Sequence, residues 1–432
     1  MRKFRIRALW IALAAGCAVD LHAQSEKLIV IEHADSLLGR TIDGEQAQEL
    51  IGAVRFSQDR VRVECDRAIQ FKSSGNVQLL GNVTVYDDSL TMKFPRGMYY
   101  RGERRAVALD SVRLDDGKTV LTARFGEYHI DPKKAFFKTQ VVATDRESQL
   151  RADSLTYFRT EQLTNAFGNV EVESFADNLK IRGRRFESFK KGEYTRMTER
   201  PVLVKVDTTS LAQIDTLVVR SNVMESYRLD TLRKLIATDS VEIVRSEMAA
   251  VAGLAVFFTD GDSIHLRKSP VVWYQQTQVS GDSIDVYLKQ RKLDRVRVLG
   301  NAFAISQGDS LNKEKFDQLT GEEMLMRFGE KGLERMDVIS RAISVYHLYE
   351  DTTANGLNKI SGDHIVMLWE NKKLVSLKVY GGIEGQYFPE NLTTGKEKEF
   401  ALAGFHWRGD RPQMRASDFS FINPTKNDNK KK

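Results

Sequence analysis

The sequence predicts an all-β chain, an elongated and open-ended array of stacked antiparallel strands. A six-residue pattern recurs along most of the chain, apolar residues alternate with polar ones, and convincing helical periodicity is nearly absent. The pattern is small, polar, any, apolar, any, apolar. It reads CDRAIQ from Cys65, ARFGEY from Ala123, ADSLTY from Ala152 and GRRFES from Gly183, where the last position fails. It continues as AGLAVF from Ala252, GDSIDV from Gly281, GEEMLM from Gly321 and GDHIVM from Gly362, with PRGMYY from Pro95 as a looser copy. Successive copies lie 30, 28, 29, 31, 69, 29, 40 and 41 residues apart, and the gap of 69 leaves room for a degraded copy near SNVMES at Ser221. A fixed period of this size marks units that must stack to bury their apolar faces.

The last three copies correspond over a whole hairpin. Ile284, Met324 and Ile365 align, then Val286, Met326 and Met367, then Leu288, Phe328 and Trp369. A short charged turn follows each, and the return strand starts at Leu293, Leu333 or Leu374. Return strands elsewhere open with Gly-Asn at Gly75, Gly81, Gly168 and Gly300, and Asp-Ser precedes an apolar residue eight times. Gly and Asn tolerate positive φ, and Asp and Ser bond their own backbone, so these pairs read as corners and turns. Between them the period is two: Val77 and Leu79, Val83 and Val85, then Leu90, Met92 and Phe94, separated mostly by polar residues. That spacing describes strands with one apolar face. The best helix candidate is DGEQAQELIGAV, Asp43 to Val54. About ten units at roughly 4.8 Å per stacked strand give an array on the order of 50 Å long, and more if units hold two rungs.

The organisation along the chain follows. Basic MRKFRIR and the apolar run ALWIALAAGCAV, ending at Leu21-His22-Ala23, form a cleavable export signal over residues 1–23. A rival reading acylates Cys17 as a lipoprotein anchor. A first β segment spans 24–207 and a second 208–405, divided where KVDTTSLAQID interrupts the pattern. Residues 406–432 change character and fade into NPTKNDNKKK, a partly disordered end. The net charge of +6 resides in the two termini, leaving a neutral body with both signs interspersed. That distribution argues against a nucleic-acid partner. Without the signal Cys65 is the sole cysteine, which excludes an intramolecular disulfide and reads as a small core residue.

LIGAVRFSQDRVRVECDRAIQF, GNVQLLGNVTVYDDSLTM, LRADSLTYF with AFGNVEV, and VSGDSIDVYL with VRVLGNAFA resemble the OstA-like family, whose best-known members are periplasmic LptA-type lipopolysaccharide-transport proteins. The resemblance covers most of residues 30–390 and is best over 50–175. It implies a slightly twisted open β-jellyroll, a β-taco, whose interior holds the acyl chains of lipopolysaccharide. It also implies end-to-end joining, by edge-strand pairing, with other components of the same fold or with further copies of the chain. The lining expected in the first segment is Val77, Leu79, Val83, Val85, Leu90, Met92 and Phe94. In the second it is Ile284, Val286, Leu288, Ile365, Met367 and Trp369. The location implied is the periplasm, and no cofactor is expected.

Other chemistries find less support. His33, His129, His265, His347, His364 and His406 form no HExxH or close His/Cys cluster, so no metal site is expected. His265 and His364 read as surface positions on strands. The Asp-Ser pairs suit turns better than paired glycosidase carboxylates, because they recur with the repeat. GxSxG, Walker A and GxGxxG sequences are absent. Arg408-Gly409-Asp410 reads as a chance tripeptide. Trp273, Tyr274, Trp369 and Tyr387 fit either a core or a lipid surface. A β-solenoid enzyme acting on an envelope polysaccharide and a ligand-free scaffold stand as the alternatives to a carrier.

Overall fold

A computed structural model describes residues 29–419 apart from 59, 176–177, 190–192, 209–213, 230–231, 247, 259–261, 290–291, 308–313, 351–352 and 372. The export signal, Cys17 and the lysine-rich end lie outside the described residues, as does much of the KVDTTSLAQID interruption. The described residues form an elongated all-β structure of thirty strands, paired antiparallel along its length. Among them, helix is confined to single turns at Glu390–Thr393, Glu397–Phe400 and Ala416–Phe419.

The strands bend, and the bends explain the repeat. Val77–Asp87 pairs with Val61–Phe71 on both sides of a break, at which Gly81 and Asn82 take φ of 75° and 46°. Leu79 before the break and Val83 after it both face the core, so the strand folds the sheet into two facing layers. Similar positive-φ pairs recur at Gly52/Ala53, Thr139/Gln140, Glu199/Arg200, Asp239/Ser240, Lys268/Ser269, Gly300/Asn301, Ser340/Arg341 and Gly381/Gly382. Strands between these cross the same line at the second residue of the six-residue pattern, for example Asp66, Arg96, Arg124, Asp153 and Asp282. The faint copy at Ser221 is such a crossing: the Asn222 amide donates to the Asp239 carbonyl at 2.9 Å.

Side chains join neighbouring corners. Asn82 Nδ2 donates to Asp66 at 2.8 Å, Asn169 Nδ2 to Asp153 at 3.0 Å and Asn301 Nδ2 to Asp282 at 3.1 Å. Arg124 Nε donates to Gln140 at 2.8 Å, and Arg96 pairs with Asp110. The Asp-Ser pairs divide their work, with Asp153 and Asp282 at corners and Asp88 in a hairpin turn. Each repeat unit therefore carries two strand passes through each layer, and the array comes to on the order of 100 Å at roughly 4.8 Å per strand.

The helix expected over Asp43–Val54 is instead part of the strand Glu45–Gln58, paired along its length with Val61–Phe71. Leu50 and Val54 share a face because the Gly52/Ala53 corner resets the alternation, which imitates a helical spacing of four. Strand pairing overrides the local helix propensity of Glu, Gln and Ala.

The interior is mostly apolar. One cluster runs from Leu50 to Met197 and a second from Leu203 to Met367, and Ile181 packs against both. Strands lengthen from 11 residues at Val61–Phe71 to 19 at Gly332–Glu350, matching the longer repeat spacing after Gly281. Residues 400–419 run back along the outside of the second half. Leu402, Phe405 and Trp407 pack on Phe303, Ile305, Phe316 and neighbours, and Met414 packs on Val204 and Val218.

Candidate functional site

The candidate site is the space between the two layers, built by alternation. Along Val77–Asp87 and Leu90–Tyr100 every second side chain points inward, and corner residues restore the phase after each bend. Val77, Leu79, Val83, Val85, Leu90, Met92 and Phe94 are all buried and belong to the first cluster. Ile284, Val286, Ile365 and Met367 are buried in the second, while Leu288 and Trp369 are half-buried on its rim. The expected lining thus falls into two groups that share one interior but do not touch a common point. Inward side chains bury one another, so a guest must part the layers.

The side opposite the corners carries polar clasps that were not anticipated. Tyr99 Oη donates to Gln58, and Tyr128 Oη donates to Asp87 at 2.7 Å, in both cases across the interior from one layer to the other. Asp87 also meets Arg60 Nε at 3.0 Å and Arg159 Nη1 at 3.5 Å, and Arg159 reaches Ser89 Oγ at 3.3 Å. Burial, then the bond to Asp87, holds the Tyr128 hydroxyl well above its ordinary pKa. Tyr157 is raised too, by burial and then by the charge of Asp116. The signal was present in the sequence, because Tyr99, Tyr128 and Tyr157 stand 29 residues apart, as do Gln58, Asp87 and Asp116. Only the folded layers reveal that the two series meet.

The remaining candidates resolve individually. Cys65 is buried in the first cluster, and burial pushes its thiol up to about 11. His265 and His364 sit half-buried on the outer face, against Asp285 at 2.8 Å and Asp337 at 3.2 Å. Trp273 is buried on the outer face beneath Arg408, away from the interior. Tyr274 points inward and meets Phe328 edge-on at 5.4 Å. Tyr387 is exposed on the last strand. Arg408 is paired with Asp410 at 2.5 Å. Among the described residues, no group of His, Cys, Asp and Glu is placed to hold a metal ion, and no helix is long and apolar enough to cross a membrane.

A mostly apolar interior between two bent antiparallel layers defines an elongated β-jellyroll among the described residues. Residues 26–140 match the family described as OstA-like protein, and the chain is OstA-like over that region. No curated protein matches the chain. The corners continue in the same form well beyond the matched region, as far as Gly381 and Gly382.

Proposed function

We propose that the protein is a non-enzymatic, LptA-type carrier that holds lipopolysaccharide acyl chains between its layers and forms part of an end-to-end bridge to the outer membrane. The observation that carries this reading is the inward apolar face that recurs on successive strands from Leu50 to Met367 in a chain matching an OstA-like family over residues 26–140. Each acyl methylene moved from water into that interior contributes about 0.8 kcal/mol, so several chains suffice for tight retention without a catalytic group. Exposed apolar residues on the terminal strands suit the partner contacts: Val30, Ile31, Leu37 and Leu38 at one end, and Val375, Tyr380 and Tyr387 at the other. Partners at those edges are other OstA-fold components or further copies of the chain. The export signal and the family's association with the cell envelope favour the periplasm.

Photo-crosslinking amino acids at inward Val85 and Met92 are expected to capture lipopolysaccharide in cells, and those at outward Thr84 and Thr91 are not. Equal capture at the two sets, or none at either, sinks the reading. A polysaccharide-cleaving activity in the purified chain would favour the enzyme alternative, and a chain purified without lipid would favour the scaffold.

A further inference from the structure

The side of the trough is closed by different chemistry along its length. In the first part the clasp residues Tyr99 and Tyr128, and Tyr157 in the following copy, stand as the second inward residue after the corner crossings at Arg96, Arg124 and Asp153. In the last part Tyr274 meets Phe328, and Leu288, Leu333 and Trp369 pack along the rim. Between these parts the equivalent positions are Ser188, two residues after Phe186, and Ser226, two residues after Met224. Thr164 and Thr195 occupy the intervening strands on the same inward face. Backbone register places the four side by side, Thr164 opposite Ser188, Ser188 opposite Thr195 and Thr195 opposite Ser226. Their side chains end at a hydroxyl near the backbone and lack the length to reach the facing layer as a tyrosine does.

The facing layer changes at the same place. Leu90, Leu114 and Leu121 are buried before it, and Val272 and Val279 after it. Within the interval Leu150, Val172 and Ile181 are only half-buried although they point inward, and full burial returns at Leu203, Val219 and Ile243, in register beyond Ile181. Nearer the opening, Lys205, half-buried Leu217 and Arg245 share the inward face side by side, and Arg245 Nε donates to Asp215 at 2.6 Å. Inward hydroxyls this short gain little from dry closure, because burying a polar group without a partner costs free energy. The free energy needed to part the layers is therefore lowest here.

We propose that the trough has a side portal in its middle, between the tyrosine-clasped first part and the apolar-closed last part, through which a lipid acyl chain passes sideways into the interior. The nature of the guest rests on the carrier reading. The opening itself does not. Both are tested on the full mature chain with Cys65→Ala as background. Single cysteines are placed at Ile181 in the portal and at Met92 and Ile284 in the closed parts, with Leu179→Cys and Val85→Cys as a second pair should a variant fail to fold. Reaction with a maleimide dye is expected to be about tenfold or more faster at Ile181 than at Met92 or Ile284. Adding Tyr128→Phe, which keeps the ring and removes the clasp hydroxyl, speeds reaction at Met92 and leaves Ile284 unchanged. Equal rates at all inward cysteines overturn the portal. For the route, uptake of BODIPY-labelled palmitate is followed by stopped flow. Ser188→Trp with Ser226→Trp is expected to slow uptake about tenfold while leaving the amount bound at saturation unchanged. Unslowed uptake overturns the route, and no uptake by the unsubstituted chain overturns the carrier reading while the labelling result still decides whether the side opens.

Discussion

Gly168 shows how a single residue sets a corner. Its φ is 90°, and a Cβ there would run into the Asp153 side chain, whose carboxylate accepts bonds from both nitrogens of Asn169 at 3.0 Å. Gly44 has nearly the same φ, 83°, but nothing within 4 Å of where its Cβ would lie. The two separate backbone strain from corner packing. Gly44→Ala pays only for the left-handed backbone, about 1–2 kcal/mol. Gly168→Ala adds a displaced Asp153 and its lost bonds, roughly 1–3 kcal/mol more. Urea denaturation of the two variants checks this, and equal losses would mean that the Asp-to-Gly approach contributes nothing to the corner.

At the scale of elements, the second half gains a feature with no counterpart in the repeat. The segment from Phe400 to Phe419 lies across strands of the outer face and replaces water there. Gln278 Nε2 donates to the His406 carbonyl at 2.7 Å, and Gln278 Oε1 accepts from the Arg408 amide at 2.8 Å. Gln318 Oε1 accepts from the Leu402 amide at 2.8 Å in the same manner. Farther along, Arg220 pairs with Asp418, and Arg415 reaches Glu242 at 2.7 Å. Beneath it lie Phe303, Ile305, Trp273 and Val218, outward residues that would otherwise face water. Leu402→Ala is expected to cost about 2–4 kcal/mol. Hydrogen exchange should locate the loss in Val271–Tyr274 and Phe316–Gly329, and unchanged protection of those strands would show that the segment merely rests on the sheet. The corners at Gly81 and Gly300 and the crossing at Ser221 were legible in the sequence, because Gly, Asn and Asp record backbone geometry locally, whereas those at Thr139/Gln140, Glu199/Arg200, Lys268/Ser269 and Ser340/Arg341 carry no such residue. Which side chains face inward was legible from alternation. The segment from Phe400 to Phe419, the Tyr128–Asp87 clasp and the strand at Glu45–Gln58 were not, because each depends on which distant strand lies opposite.

On the scale of the molecule, the proposed bridge would join through the ends of the array. Among the described residues the strands Val30–His33 and Ser36–Ile42 pair only inward, with Glu45–Gln58. At the far end, again among the described residues, Lys373–Tyr380 and Glu384–Phe388 pair only with Thr353–Glu370. Such edges offer unpaired backbone groups, and lysine on an edge is a common device against further pairing. A head-to-tail contact between copies uses one edge of each kind, so blocking either one stops growth of the chain. Leu38 and Val375 are 45 % and 53 % exposed, so replacing either by lysine leaves the fold nearly untouched, within about 0.5 kcal/mol. If copies associate end to end, sedimentation velocity over a range of concentrations will show species larger than the monomer. Leu38→Lys and Val375→Lys will then each reduce these to monomer while the melting temperature stays unchanged. Assembly that survives both substitutions would place the contact away from the edges. A chain that is monomeric throughout would leave the edges to components other than itself, and the same two variants would then be read by loss of lipopolysaccharide delivery in cells.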